Sequence, residues 1–143
     1  MKEKPLVLFV CTHNAARSQI AEALLRKYAG DRFEVASAGL DPTEVHPLTR
    51  QVLAEIGSDT SGLRTKGTKE FLGTGAVRYA IIVCSQEEPR CPRVFPFTLR
   101  TLNWAFEDPA TPQRSEELQL AKFRRIRDAI DERIRQWLCE ARA

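Results

Sequence analysis

Short apolar runs alternate with helical patterns along the whole chain. Three runs predict buried strands, at residues 5–10, 32–39 and 76–84, and a shorter fourth strand is predicted at residues 101–106. Between and after these runs, apolar positions recur at intervals of three and four residues, which predicts helices. Strands that alternate with helices form right-handed βαβ units. We therefore predict an α/β fold whose parallel sheet is covered on both faces.

Turn and capping residues set the expected limits of the helices. The first should start near Arg17 and stop at Gly30, and the second should cover residues 47–56. Ser115 is a natural N-cap for a long amphipathic helix. Its apolar face is traced by Leu118, Phe123, Ile126, Ile130, Ile134, Trp137 and Leu138. Residues 59–75, rich in Gly, Ser and Thr, are expected to form a mobile loop with a short helix.

Composition excludes several classes of protein. A length of 143 residues, with 43% hydrophobic and 29% charged residues, suits one domain over residues 1–143. The net charge is only +3, and acidic residues interleave the most basic stretch, residues 122–137, so we expect a solvated helix face there and no nucleic-acid partner. Neither a signal peptide nor an apolar run of about 20 residues is present. We expect a cytoplasmic monomer that does not contact a membrane.

The candidate chemistry lies where the first strand meets the first helix, in the sequence CTHNAARS. Cys11 should end the strand, and three features there favour a thiolate: the helix N–H groups, the fixed charge of Arg17 and a hydrogen bond from Ser18. Successive backbone N–H groups of such a loop can wrap a tetrahedral oxyanion while the arginine holds two of its oxygens. The residues of this predicted oxyanion site are Thr12, His13, Asn14, Ala15, Ala16 and Arg17. A buried cysteine beside a solvated arginine is the alternative interpretation.

The stretch CTHNAARSQIAEALL resembles the active-site loop of the low-molecular-weight protein tyrosine phosphatase fold, and most closely that of the thioredoxin-coupled arsenate reductases built on it. Further matches follow in family order: SAG at 37–39, CSQEEPRCP at 84–92, NWAFEDPA at 103–110, and FRRIRDAI in the last helix. The resemblance spans most of the chain. It implies a three-layer α/β sandwich whose four-stranded parallel sheet has the order 2-1-3-4. It also implies Cys11 as nucleophile, Arg17 as oxyanion clamp and Asp108 as general acid.

Two further cysteines bear on the choice between phosphatase and reductase. The phosphatases usually carry Ser-Pro after the arginine and an aromatic residue after Asp-Pro, whereas this chain has Gln19 and Ala110 at those positions. In the reductases that the chain resembles, Cys84 would attack Cys11 and release arsenite, and Cys91 would then attack Cys84. The resulting Cys84–Cys91 disulfide would be reduced by thioredoxin, although glutaredoxin or a small thiol remains an alternative reductant.

The match to the family is incomplete at one ion site. Asn14, Glu22 and Ser37 match side-chain positions of the potassium site of some members, but the remaining acidic position falls on Lys66. Its ammonium would replace the cation, so we expect no potassium requirement. A zinc site would need ligands beyond the two cysteines, and we expect no metal and no other cofactor. Cys139 has no motif partner and is expected to be buried or half-buried.

The leading expectation is an enzyme that reduces arsenate and also binds the related oxyanions phosphate and sulfate. Because the pocket is shared, weak phosphatase activity is expected as well. Two alternatives remain: a low-molecular-weight phosphatase that works through a cysteinyl-phosphate, and a non-enzymatic thiol redox sensor that binds oxyanions without turnover.

Overall fold

The computed structural model describes residues 4–72, 77–85, 87–92, 95–96 and 98–141. Its strands and helices, in chain order, are β1 (Leu6–Cys11), α1 (Arg17–Ala29), β2 (Glu34–Gly39), α2 (Pro47–Glu55), a 3₁₀ turn (Thr68–Phe71), β3 (Val77–Ile82), β4 (Thr98–Asn103) and α3 (Glu116–Ala141).

The four strands form one parallel sheet in the order β2-β1-β3-β4. The predicted α/β fold and strand order are therefore confirmed. Cys11 pairs with Gly39 of β2, and Val10 pairs with Ile82 of β3, so the ends of the three strands meet at one edge. This carboxyl edge is where open parallel sheets place their ligand sites.

The core forms around β1, where residues 7–10 are fully inaccessible on both faces of the sheet. From α3, Phe123, Ile130 and Ile134 are buried completely, as their helical spacing predicts, whereas Leu118, which was predicted on the same face, is exposed. Trp137 packs edge-on against Tyr79 and Trp104, with ring centroids 5.2 and 6.0 Å apart. Each such buried apolar side chain contributes about 1.5–3 kcal/mol. Among the described residues, no helix is both long enough and apolar enough to cross a bilayer.

The capping prediction for α3 agrees with the structure. The Ser115 hydroxyl accepts a hydrogen bond from the Leu118 N–H at 3.2 Å, and the Ser115 carbonyl accepts from Gln119 at 3.0 Å. Residues 59–72 contain the expected short helical element as the 3₁₀ turn Thr68–Phe71, while the remainder of the predicted loop, residues 73–75, lies outside the described residues.

Some expected limits and one expected burial need correction. The second strand begins at Glu34, two residues after its predicted start at residue 32. The fourth strand covers Thr98–Asn103 and so begins three residues before the predicted segment. Its apolar pattern is weak, because it lies at the sheet edge, is mostly polar and exposes Leu99. The third strand ends at Ile82 rather than residue 84, and its predicted first residue, 76, lies outside the described residues. Cys139 is exposed, because it lies two positions beyond the buried Trp137 and so on the opposite side of α3.

Candidate functional site

The loop between β1 and α1 is held by the chain that leaves β2. Backbone N–H groups of residues 40, 41, 43 and 46 donate to the carbonyls of Cys11, Thr12, His13 and Ala15 at 2.8–3.1 Å. These carbonyls are thus turned outward. The Asn14 N–H, in contrast, points at the Cys11 sulfur at 3.2 Å. Turning carbonyls outward and N–H groups inward is what an anion-binding loop requires.

Asn14 fixes the centre of this loop. Its φ of 55° lies in the left-handed region that asparagine tolerates better than most residues, and its side chain is fully buried. The amide nitrogen donates to the hydroxyls of Ser18 (2.8 Å) and Ser37 (2.9 Å). The amide oxygen accepts from the Lys66 backbone N–H at 2.8 Å and from Gln19 at 3.0 Å. One side chain therefore ties the loop to α1, to β2 and to the segment around Lys66.

Gly39 lets the loop approach β2 closely. A Cβ on this residue would lie 2.7 Å from the Asn14 nitrogen, 2.8 Å from the Thr12 oxygen and 2.9 Å from the His13 carbonyl carbon. All three are backbone atoms, which cannot move aside as the end of a flexible side chain can. This contact gives the Ser-Ala-Gly sequence at 37–39 a physical role.

The Cys11 thiol is 2% exposed and lies at the floor of the loop. Its sulfur and the Ser18 hydroxyl share a hydrogen bond of 2.9 Å, as the sequence predicts. With the Asn14 N–H, the sulfur thus has two hydrogen-bond partners, and both can donate to a thiolate. The thiolate, not the thiol, is the nucleophile in cysteine chemistry.

Arg17 and Asp108 complete the cluster. The Arg17 guanidinium is 4% exposed, and its Nη2 lies 3.9 Å from Asp108 Oδ2. Asp108 is kept in place by the Ala110 N–H, which donates to its Oδ1 at 2.9 Å. A small cavity of about 40 Å³ remains between them, lined by Cys11, His13, Ala15, Ala16, Arg17, Asp108 and Ala110. The pocket thus brings together Cys11, Asp108 and most of the residues predicted to bind the oxyanion, whereas the predicted Thr12 and Asn14 do not line it.

Sequence reasoning missed a partner of Arg17. The Glu88 carboxylate pairs with both terminal nitrogens of Arg17, at 2.5 Å to Nη1 and 2.8 Å to Nη2. Burial opposes the charge on Arg17, but the hydrogen bond to Glu88 and the charges of Cys11 and Asp108 raise the pKa of the guanidinium. Burial also opposes ionisation of Glu88, but Arg17 and the Ser85 N–H hold the pKa of this carboxyl below its ordinary value. The sequence offered one signal for this pairing, namely a carboxylate in the polar segment between the two cysteines.

Cys84 and Cys91 form a disulfide, whereas Cys11 is a free thiol. Cys84 follows Val83, whose N–H donates to the Val10 carbonyl at 2.9 Å, and Cys11 follows Val10. The two cysteines therefore leave neighbouring strands at the same level of the sheet. Both members of the disulfide are buried, although most of the described residues between them are exposed.

A buried ionic cluster lies beneath the loop. Lys66 is 7% exposed; its ammonium donates to the Arg64 carbonyl at 2.7 Å and lies 3.4 Å from Glu22 Oε1. The same carboxylate oxygen accepts from the Ser37 hydroxyl at 2.6 Å. Burial outweighs Glu22 and lowers the pKa of Lys66. In the part of the chain that the structure describes, no group of three or more His, Cys, Asp or Glu residues is arranged to hold a metal.

Comparison with known proteins places these features in a family. Residues 6–143 match the model of the low molecular weight phosphotyrosine protein phosphatase family. The chain is 33% identical over 138 residues to an arsenate reductase of Bacillus subtilis (strain 168), covering 94% of this chain and 96% of that protein.

Two solved structures show the same likeness. A thioredoxin-dependent arsenate reductase of Corynebacterium glutamicum is 32% identical with a TM-score of 0.67, and the match covers 97% of this chain and 62% of that one. An arsenate reductase in the phosphate binding state is 26% identical with a TM-score of 0.76, covering 95% and 98% of the two chains. The chain therefore belongs to the low molecular weight phosphotyrosine protein phosphatase family.

Proposed function

We propose that the protein reduces arsenate to arsenite by a relay of three cysteines that thioredoxin recycles. The observation that carries this proposal is the Cys84–Cys91 disulfide at the same sheet edge as the reduced Cys11 in its oxyanion loop. A phosphatase needs the loop but has no use for a disulfide beside it. The relatives named arsenate reductase support the same conclusion.

The first half of the reaction takes place in the loop. The backbone N–H groups of residues 12–16 and the Arg17 fork bind the oxyanion. The Cys11 thiolate attacks arsenic and forms an S–As bond. An oxygen of arsenate leaves as water, with Asp108 as the proton donor. Ser18 and the Asn14 N–H hold the thiolate in place before the attack.

The second half transfers electrons. The Cys84 thiolate attacks the Cys11 sulfur, and the electron pair of the S–As bond passes to arsenic, so that As(V) leaves as As(III) in arsenite. Cys91 then attacks Cys84 and releases the Cys11 thiolate, which leaves the Cys84–Cys91 disulfide. A thioredoxin dithiol supplies two electrons and two protons and restores both thiols. Overall, arsenate and reduced thioredoxin give arsenite, water and oxidised thioredoxin.

The test couples the protein to thioredoxin, thioredoxin reductase and NADPH in the presence of arsenate. We expect steady NADPH consumption by the wild type and at most one turnover by Cys91→Ser. Cys139→Ser is the matched control, because this cysteine is exposed on α3 outside the site, and it should turn over like the wild type. Steady turnover by Cys91→Ser, or none by the wild type, would contradict the proposal.

Phosphatase activity is the second candidate, favoured by the placement of Asp108 beside Arg17. The same pocket then forms a cysteinyl-phosphate on Cys11 that water hydrolyses. We expect weak hydrolysis of p-nitrophenyl phosphate that needs Cys11 but neither Cys84 nor Cys91. Brisk hydrolysis without arsenate reduction would make the protein a phosphatase. Disulfide formation with peroxide, without arsenite production or hydrolysis, would make it a redox sensor.

We further propose that Lys66 makes the enzyme independent of potassium. Its ammonium lies 3.4 Å from Glu22 Oε1 and adds a buried positive charge beneath the loop to that of Arg26, which pairs with Glu22 Oε2 at 2.8 Å. Reduction rate and melting temperature should be the same in potassium and in sodium at equal ionic strength. An increase with potassium alone would contradict this assignment.

The remaining proposals concern the cellular compartment, the domain organisation, the oligomeric state and the partners. The relay needs thiols that stay reduced between turnovers, which fits the cytoplasm. We propose that residues 1–143 act as a single domain and a monomer whose partners are arsenate, related oxyanions and thioredoxin. Gel filtration with light scattering tests the monomer.

A further inference from the structure

The segment between the two disulfide cysteines, residues 84–91, reaches across to the anion pocket. We call it the redox segment; residue 86 is outside its described part. The Glu88 carboxylate of this segment accepts hydrogen bonds from both terminal nitrogens of Arg17, the side chain that we assign to oxyanion binding. Arg17 and Glu88 are 71 positions apart in sequence, so the contact exists only when the segment is folded over the pocket.

The contact occupies the Nη1–Nη2 edge of the Arg17 guanidinium, one of the edges on which a paired oxyanion can bind. Arg17 Nη1 donates one proton to Glu88 Oε2 and the other to the Phe106 carbonyl at 3.0 Å, so this nitrogen has none left. Nη2 donates to Glu88 Oε1 at 2.8 Å. A carboxylate and an oxyanion both favour the paired N–H groups of a guanidinium. Glu88 thus acts as an intramolecular anionic ligand of Arg17.

The closed segment holds Glu88 in this position. Ser85 N–H donates to Glu88 Oε2 at 2.9 Å, Glu88 N–H donates to the Ser85 carbonyl at 3.0 Å, and Cys91 N–H donates to the Glu88 carbonyl at 3.1 Å. These bonds make a compact turn whose two ends are joined by the disulfide. A second ion pair, Arg90 with Asp41 at 2.6 Å, attaches the turn to the chain that follows β2.

We propose that Glu88 is an internal competitor for the oxyanion, which occupies Arg17 when Cys84 and Cys91 are joined and leaves it when they are reduced. The disulfide form then binds arsenate and phosphate weakly, and reduction by thioredoxin frees Arg17 for the next substrate. The inference rests on the proposed relay for its place in the cycle, but the contact itself concerns only oxyanion binding to two redox forms of one pocket.

Linkage makes the coupling reciprocal. If the oxyanion binds the reduced form more tightly, the oxyanion must favour reduction by the same factor. Phosphate should therefore raise the midpoint potential of the Cys84–Cys91 couple. A tenfold difference in affinity corresponds to about 30 mV for this two-electron couple.

The experiment measures phosphate binding by calorimetry to the fully reduced and the disulfide form of the whole chain. Phosphate is the probe because, unlike arsenate, it does not turn over by the relay. We expect wild type to bind phosphate about tenfold more weakly when oxidised, within the range usual for coupled sites. In Glu88→Gln this difference should fall to about twofold or less, because the neutral amide keeps the shape but loses the charge.

Glu87→Gln is the matched control. It removes the same charge one residue away, from a side chain that is exposed, and it should keep the wild-type difference. Titrating the couple with and without saturating phosphate provides the second readout, with the upward shift expected in wild type and Glu87→Gln but not in Glu88→Gln.

Each outcome decides a separate question. Equal phosphate affinity in both redox forms of the wild type would overturn the inference while leaving the proposed function standing. If the difference in phosphate affinity between the two redox forms persists in Glu88→Gln, the segment as a whole causes it. That result would also overturn the role of Glu88. Failure of reduced wild type to bind phosphate at all would instead contradict the oxyanion loop on which the proposed function depends.

Discussion

Two loops meet at the carboxyl edge of the sheet, and they are built in opposite ways. The oxyanion loop, residues 11–17, follows β1; apart from His13 and Ala15 its residues are buried, and hydrogen bonds tie it to the chain after β2 and to the segment around Lys66. The redox segment follows β3. Its described residues Glu87, Pro89 and Arg90 are exposed. Ion pairs of Glu88 with Arg17 and of Arg90 with Asp41 attach it to the rest of the protein, and its end cysteines are buried.

The difference matches two chemical tasks. Binding a tetrahedral anion requires N–H groups that are already oriented, since reorganising them would cost binding energy. Moving a disulfide from one cysteine pair to another requires a segment that can leave its position, and local opening is easiest where few apolar contacts are buried. Partly exposed ion pairs contribute little to global stability, so they can hold the segment in place without preventing its release.

The largest effect should come from filling the space beside the oxyanion loop. In Gly39→Ala the new methyl group would meet three backbone atoms within 3 Å, so the loop or β2 must shift. We expect the free energy of unfolding to fall by about 1–3 kcal/mol and phosphate binding to the reduced protein to be lost. Chemical denaturation and calorimetry measure the two effects.

Gly62→Ala provides the comparison, because no atom lies within 4 Å of a Cβ at that position. Its unfolding free energy should stay within about 0.5 kcal/mol of wild type. If Gly39→Ala behaved in the same way and still bound phosphate, the oxyanion loop would be less rigid than the contacts indicate.

An intermediate effect should come from reducing the disulfide, and it should be confined to the redox segment. The bond joins residues seven positions apart, and closing such a loop stabilises by about 2 kcal/mol in the chain-entropy model. We expect the amides of Glu87, Glu88 and Cys91 to exchange about tenfold faster or more after reduction, as measured by hydrogen exchange.

The amides of Asn14 and Ser18 serve as the internal reference and should exchange at nearly the same rate in both redox forms. Equal acceleration in the two loops would show that they unfold together, and the contrast between them would not hold.

The smallest effect concerns pH. The pKa of Glu88 lies below its ordinary value, so the Arg17–Glu88 pair contributes stability that is fully present above about pH 4.5 and is lost as the pH falls through the lowered pKa. Because Glu88 is 29% exposed, we expect less than about 1 kcal/mol. The unfolding free energy of the disulfide form should exceed that of Glu88→Gln at pH 7, and the difference should shrink towards zero as the pH falls through the lowered pKa of Glu88. A difference that grew on acidification would contradict the pairing.

Much of this architecture depends on residues close together in the chain, so it can be predicted from the sequence. Apolar runs and helical periodicity reflect which sides of each element face the core, so they predicted the central strands and the three helices. The capping preference of serine predicted the Ser115 cap. Part of the oxyanion loop is also local: Cys11, Asn14 and Ser18 are at most seven positions apart, and the hydrogen bonds among these three residues form within one strand–loop–helix unit.

Other features depend on which segments the fold brings together. The edge strand β4 has one neighbouring strand and exposed positions, so its apolar pattern is weak and its predicted limits were three residues out. Cys139 was misplaced because adjacent positions on a helix face different directions. The position of Lys66 beside Glu22, in contrast, was predicted from the family resemblance and agrees with the structure.

From the sequence we predicted the fold, the loop that holds Cys11 and Arg17, and the cysteines available to a relay. The ion pair between Glu88 and Arg17 in the disulfide form was seen only in the tertiary structure. The physical reason is distance along the chain: a periodic pattern encodes which face of an element is buried, whereas an ion pair across 71 positions depends on β1 and β3 lying side by side.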